Sequence, residues 1–519
     1  MFVLSWSYCL SIVVLLNAIN NIILLMGRDL NMKSPFNLMN LNIEEASIYE
    51  LQNAMEQGEF TSKELVFCYL SRIAKYDQDG PHINSIMEIN PDAIFIAEAL
   101  DIERQRKGSR GPFHGIPILV KDNIETGDKM RTSAGALALA QHVSTTDAFL
   151  IRRLRESGAI ILGKTNMTEW ANGISSTMWA GYSSKGGQVA HPYGDFFVGG
   201  SSTGSAAAVA MSFAAAAIGT ETSASILSPA IQMSIVGIKP TVGLISRSGL
   251  IPFSYSQDTA GPMARTVSDA VVLLNALAGR DEHDPATWRN DHVIQDYTSF
   301  LDKNGLQGAR IGVFCEVPDS LRESGEYNQE LFHQAVSELI KAGAEVVENI
   351  DIPSFHGPWH WNKMNLEFNH GVENYLQRLP AHMPVHSLSE LINWNEKYAD
   401  AALKYGQDIL EFREGLTNPL KNKDYIMESI MDLYLAQNEG IDYAINSYQL
   451  DAIMFPAYIG ADICAKAGYP SIAIPAGYGA NGRPFGITFA GKAFTEPTLI
   501  RIAYSFEQIT KHRKKPIFN

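Results

Sequence analysis

The chain has 519 residues, of which 46% are hydrophobic, and its 41 Lys and Arg against 56 Asp and Glu leave a formal net charge of −15. Such a length buries a sizeable core, as one large α/β enzyme or as two domains, and the acidic balance argues against nucleic acid or an anionic membrane surface as partner. The four cysteines, Cys9, Cys68, Cys315 and Cys464, show no CxxC or metal-ligand spacing, and three sit in apolar runs. They point to buried thiols in a reducing, cytoplasmic setting and not to a disulfide framework.

Residues 2–26 are uncharged and rich in Leu, Ile and Val, long enough to cross a bilayer. No Lys or Arg precedes Arg28 and no small-x-small site follows, so a cleaved signal peptide fits poorly. Two readings remain. One is an uncleaved anchor with Arg28 and Lys33 on the cytoplasmic side. The other is a start placed too far upstream, with Met26 or Met32 opening the protein. Residues 1–40 are therefore set apart from a domain spanning 41–519.

From about residue 43 the chain reads as helical and polar. Thr61-Ser-Lys-Glu64 is a capping box ahead of Leu65, Cys68, Tyr69 and Ile73, which share one helical face. Asn90 and Pro91 predict an N-cap and first turn for a second helix with a charged exit at 101–107. Residues 115–123 then form an apolar strand that ends in Lys121. That lysine is either a snorkelling surface residue or a desolvated one whose lowered pKa suits it to be a base. A charged helix at 150–157 and a short strand at 159–163 follow, which signals α/β structure.

Gly199-Gly-Ser-Ser-Thr-Gly-Ser205 and Gly219-Thr-Glu-Thr-Ser-Ala-Ser225 flank residues 206–217, a small apolar run that predicts one buried helix. Such a helix carries the chain roughly 20 Å out and about six extended residues return it, so Ser201 and Ser225 meet. Ser228 and Pro229 read as an N-cap and first turn, placing Ser225 before a helix N-terminus, where developing negative charge is favoured. Residues 245–262 are turn-rich and 266–278 form an amphipathic helix. The runs 309–314, 451–456, 471–475 and 485–490 have strand character. Residues 355–440 are helical and aromatic and suit an insertion that walls a pocket. His356 and His360 stand four apart, but without HExxH or an acidic third ligand they predict no metal site.

The serine loops lack the lysine of GxxxxGK[ST], and no GxSxG stands at a strand-to-helix elbow, so neither a phosphate loop nor an α/β-hydrolase triad is indicated. Serine and lysine remain. A serine hydroxyl needs a base within hydrogen-bond reach, and a lysine of lowered pKa supplies one.

Residues 115–123, 163–170, 199–205, 219–230, 237–243 and 258–265, in that order, resemble the motifs of the amidase signature family, and the likeness resumes over 451–508. The resemblance implies an α/β fold, a single large domain with a mixed central sheet surrounded by helices. It implies a Ser–cis-Ser–Lys triad, with Ser225 as nucleophile, Ser201 as bridge after a cis peptide from Gly200, and Lys121 as base. The oxyanion falls to the loop of Thr222, Ser223 and Ala224, and no cofactor or metal is called for. The family usually has glycine before the nucleophile, whereas this chain has Ala224, which is strained if the loop needs positive φ there.

Stretches at 165–172, 256–259 and 367–375 most resemble the peptide amidase branch, whose members remove ammonia from C-terminal peptide amides. A small-molecule or peptide amide is then the substrate. Two alternatives stand beside it. One is the glutamine-hydrolysing subunit of a tRNA-dependent amidotransferase; the other is an impaired binding protein on the same scaffold.

Overall fold

The computed structural model describes residues 43–289, 294–417 and 419–517, so the apolar stretch 2–26 and Cys9 lie outside the described residues. Among those described, no helix is long and apolar enough to cross a membrane.

In chain order the strands are β1 (Ile86–Ile89), β2 (Pro117–Lys121), β3 (Ile160–Thr165), β4 (Tyr182–Ser183), β5 (Gly187–Gln188), β6 (Ala216–Glu221) and β7 (Val236–Lys239). They continue as β8 (Thr259–Ala264), β9 (Arg310–Val313), β10 (Glu345–Glu348), β11 (Ala452–Pro456), β12 (Ser471–Tyr478) and β13 (Pro484–Ala490). Apart from the β4–β5 hairpin, they form one 11-stranded sheet in the order β1-β3-β2-β6-β8-β7-β12-β13-β11-β9-β10. The sheet is mixed. β2 runs parallel to β3 and β6, whereas β6, β8, β7, β12, β13 and β11 alternate in direction. Every residue of β2, β3, β6, β8, β11 and β13 is buried, so these strands read as continuous apolar or small runs and not as alternating ones.

The expected helix over the capping box is Ser62–Arg72. Thr61 Oγ1 accepts from Glu64 N, Glu64 accepts in return from Thr61 N, and Leu65, Cys68 and Tyr69 are buried. The helix Val267–Leu277 likewise starts at a Thr266 cap.

Other expectations are corrected. The helix predicted from Pro91 begins at Ala93, because Asn90 serves a turn: its Oδ1 accepts from Asp92 N at 2.9 Å, and its Nδ2 donates to Ile161 O at 2.8 Å. Ser228 lies inside the helix Leu227–Gln232 and does not cap it. The Glu221 carboxylate accepts the N–H groups of Ile226 and Leu227 at 2.6 and 3.0 Å and does the work of a cap. Part of the stretch expected to be turns, from Thr259 on, belongs to β8.

Residues 206–217 are not one helix. The helix Thr203–Ala210 stops, Ser212 takes a left-handed φ of 54°, and the chain enters β6 at Ala216. Arginines occupy the carbonyls freed at the break. Arg265 donates to Val209 O and Ala214 O at 3.3 and 2.9 Å, and Arg72 to Met211 O and Ser212 O at 2.9 and 3.1 Å. Alanine's helix preference is a few tenths of a kcal/mol per residue, roughly, and a sheet position buried on both faces outweighs it.

The region 355–440 contributes the helices Asn362–Leu376, Leu388–Lys397, Asp408–Glu414 and Lys423–Leu433. Phe368, Val372, Leu391 and Leu410 pack in one apolar cluster with Trp170, Ile174 and Phe253. Buried Arg413 donates to Gly173 O and Asn365 Oδ1, both at 2.9 Å, and stacks 4.1 Å from the Phe368 ring centre. At the far end, Lys466 and Asp432 form a 2.8 Å ion pair with both side chains almost wholly buried.

Candidate active site

β2 and β6 are parallel neighbours with Val120 opposite Ile218, so their C-terminal ends emerge side by side. One end delivers Lys121, the other Thr220, Glu221 and the loop that follows. Active sites of open α/β sheets sit at such strand ends.

Lys121 is fully buried, and its Nζ lies 2.7 Å from Ser201 Oγ, 2.9 Å from Ser202 Oγ, and 3.0 and 3.2 Å from the hydroxyl and carbonyl oxygens of Thr220. Burial pushes its pKa down to about 7, against the upward pull of Glu221 and Asp258. A snorkelling surface lysine is thereby excluded. Lys164, at the end of β3, is also buried, but its ammonium donates to Ile124 O and Thr132 Oγ1, away from the serines.

The peptide bond between Gly200 and Ser201 is cis. Ser201 Oγ donates to Ser225 Oγ at 3.1 Å, so lysine, first serine and second serine form an unbroken line. The backbones are tied as well: Ser202 N donates to Ser225 O at 3.0 Å and Thr168 N to Ser201 O at 3.1 Å. The motif at 163–170 therefore holds the bridging loop. At Gly204 a Cβ would stand 2.3 Å from Asn166 O, so only glycine lets the helix Thr203–Ala210 lie against that motif.

The loop 222–225 is held from several sides. Thr222 Oγ1 donates to Asp258 at 2.6 Å, Gln257 Nε2 to Thr222 O at 3.2 Å, and Ser223 Oγ to Asp462. Ala224 takes φ 59°, the left-handed conformation in which glycine is the unstrained residue. Asp258 accepts further from Phe253 N and Ser254 N at 2.8 and 2.9 Å, and burial raises its pKa to about 6. Glu221 is shifted upward by burial too. Behind Asp258, Glu367 accepts from Ser254 Oγ at 2.5 Å and from the N–H and hydroxyl of Ser256 at 3.0 and 2.9 Å. A chain of hydrogen bonds thus joins the helix Asn362–Leu376 to the loop before Ser225.

The three residues singled out for a triad, Lys121, Ser201 and Ser225, come together, and Thr222, Ser223 and Ala224 line the adjoining loop. Sequence reasoning assigned nothing to Ser202, Thr220, Glu221, Asp258, Glu367 or Asp462. All stand in or beside stretches that were noticed, but hydrophobic period says nothing about which carboxylate faces which loop. Elsewhere, His356 pairs with Glu316 at 2.6 Å, and His360 offers its carbonyl to Lys466. No group of three or more His, Cys, Asp or Glu placed to hold a metal occurs among the described residues.

A family model described as amidase matches residues 64–500. A probable amidase of Arabidopsis thaliana is 39% identical, over 92% of this chain and 92% of its own. A glutamyl-tRNA(Gln) amidotransferase component of Methylococcus capsulatus is 34% identical, over 91% of this chain and 98% of its own. Among solved structures, the peptide amidase of Stenotrophomonas maltophilia superposes with a TM-score of 0.86 at 42% identity, covering 92% of this chain and 99% of its own.

Proposed function

Since the chain belongs to the amidase family and is an amide hydrolase, we propose that it cleaves a carboxamide through an acyl-serine on Ser225. Neutral Lys121 takes a proton from Ser201, and Ser201 takes one from Ser225 as its Oγ attacks the carbonyl carbon. The oxyanion lies against the peptide N–H groups of the loop 222–225. The relay then returns a proton to the leaving nitrogen, and ammonia or an amine departs. Water enters, loses its proton along the same line, and displaces the acid from Ser225. The observation that carries this reading is the continuous Lys121–Ser201–Ser225 contact line, at 2.7 and 3.1 Å, ending in a lysine whose pKa lies near 7.

For the substrate we infer a C-terminal peptide amide. The likeness to the Stenotrophomonas peptide amidase supports it, and the 355–440 helices, which reach the Thr222 loop through Glu367, Ser254 and Asp258, are read as a wall of the substrate cleft. The Methylococcus relative motivates a second reading, glutamine hydrolysis on behalf of a partner protein. Ammonia release from peptide amides, simple carboxamides and free glutamine separates the two. Labelling by a fluorophosphonate, mapped to its residue, tests the nucleophile: the adduct is expected on Ser225.

A further inference from the structure

Asp462 stands at the start of the helix Ala461–Ala467, exposed to solvent, and its carboxylate accepts from Ser223 Oγ, two residues before the nucleophile. It makes no ion pair among the described residues. Lys466, one turn further along the same helix, is buried and engaged with Asp432. Among the described residues, the other charges around the loop lie behind it: Glu221 with Lys239 beside it, Asp258 with Arg247 beside it, and buried Lys121, whose pKa burial lowers to about 7. Ser223 and Asp462 thus place an uncompensated carboxylate at the outer side of the loop that carries Ser225.

We propose, building on the amide-hydrolase reading above, that Asp462 selects substrates that carry a positive charge about one side-chain length from the scissile carbonyl: amides of basic C-terminal residues. The loop turns at Ala224 and Ser225 Oγ reaches Ser223 O at 3.4 Å, so Asp462 stands beyond that contact by the Ser223 side chain and one hydrogen bond, a span suited to a substrate side chain and not to an α-ammonium beside the reacting carbon. An extended lysine or arginine side chain bridges that gap. Its cation meets a carboxylate that is solvent-accessible and already oriented by the Ser223 hydroxyl, whereas an anionic side chain is repelled. At such separations near a surface, the pair discriminates by roughly tenfold, and less as salt is added.

Three amides of matched size test this: N-acetyl-lysinamide, N-acetyl-norleucinamide and the α-amide of N-acetylglutamic acid. The wild type is expected to favour them in that order by kcat/KM, with about a tenfold lysine-to-norleucine ratio that shrinks with salt. Asp462→Asn should bring the ratio close to one. Ser223→Ala, which removes the hydrogen bond but keeps the carboxylate, should preserve the preference. If Asp462→Asn slows all three amides equally, or if the wild type shows no charge preference, Asp462 merely braces the loop and the proposal is overturned. Failure of the wild type to hydrolyse any of the three, with Ser225 still labelled by the fluorophosphonate, instead overturns the peptide-amide reading on which it rests.

Discussion

Lys121 shows how much one buried charge decides. Among the described residues its contacts are hydroxyls and a carbonyl, with no carboxylate in direct contact, so desolvation dominates and holds its pKa to about 7. A base must be neutral to act, so kcat/KM is expected to fall about tenfold per pH unit as pH drops below 7 and to level off above it. A pH–rate profile flat from pH 5 to 8 would remove Lys121 from the role. Ser225→Ala is expected to lower kcat by roughly 10⁴-fold or more while leaving the thermal transition in place, and Lys121→Ala to cripple turnover likewise. Ala224 offers the opposite kind of test. Its φ of 59° strains an L residue by about 1–2 kcal/mol, and glycine's greater chain entropy takes back part of any relief. Ala224→Gly should therefore raise stability in urea titrations by up to about 1 kcal/mol without loss of rate. The alanine was visible in the sequence; the sign of its φ was not, because it comes from the clamps on either side.

At the scale of elements, the loop 222–225 is positioned by carboxylates from distant parts of the chain. Thr222→Val keeps the shape of the side chain but strips buried Asp258 of its 2.6 Å hydroxyl donor. Kcat should fall about tenfold with a smaller change in KM, and Thr222→Ser should restore it, at a stability cost to the valine variant of about 1–3 kcal/mol. The docking of the 355–440 helices is a separate matter of burial. Lys466→Met leaves Asp432 charged and unpaired in an almost wholly buried site and should cost about 3–5 kcal/mol by thermal or urea unfolding. The helical character and aromatic content of this region were legible in the sequence. Its attachment through Glu367, Arg413 and Lys466 was not, since polar anchors follow no hydrophobic period. The alanine run 206–217 shows the converse: propensity named a helix, and sheet burial with arginine capping cut it to Thr203–Ala210.

For the whole molecule, the governing fact is that β12, β13 and β11, all from beyond residue 450, fill the sheet between β7 and β9. A chain ending at Gly305 would leave β7 without its partner β12, exposing a fully buried strand as a sheet edge, and is expected to lack a cooperative melting transition by circular dichroism. The α/β class, the strands at 115–123, 159–163, 309–314, 451–456, 471–475 and 485–490, and the serine and lysine motifs were determined by the sequence alone, because period, turn residues and motif spacing are local properties. Tertiary structure decided which of two buried strand-end lysines meets the serines. Lys121 does because β2 pairs parallel with β6, while Lys164, one strand over on β3, turns to Ile124 and Thr132. It likewise placed Glu221, Asp258 and Asp462 around one loop. Register and burial are long-range properties, set only when the sheet closes.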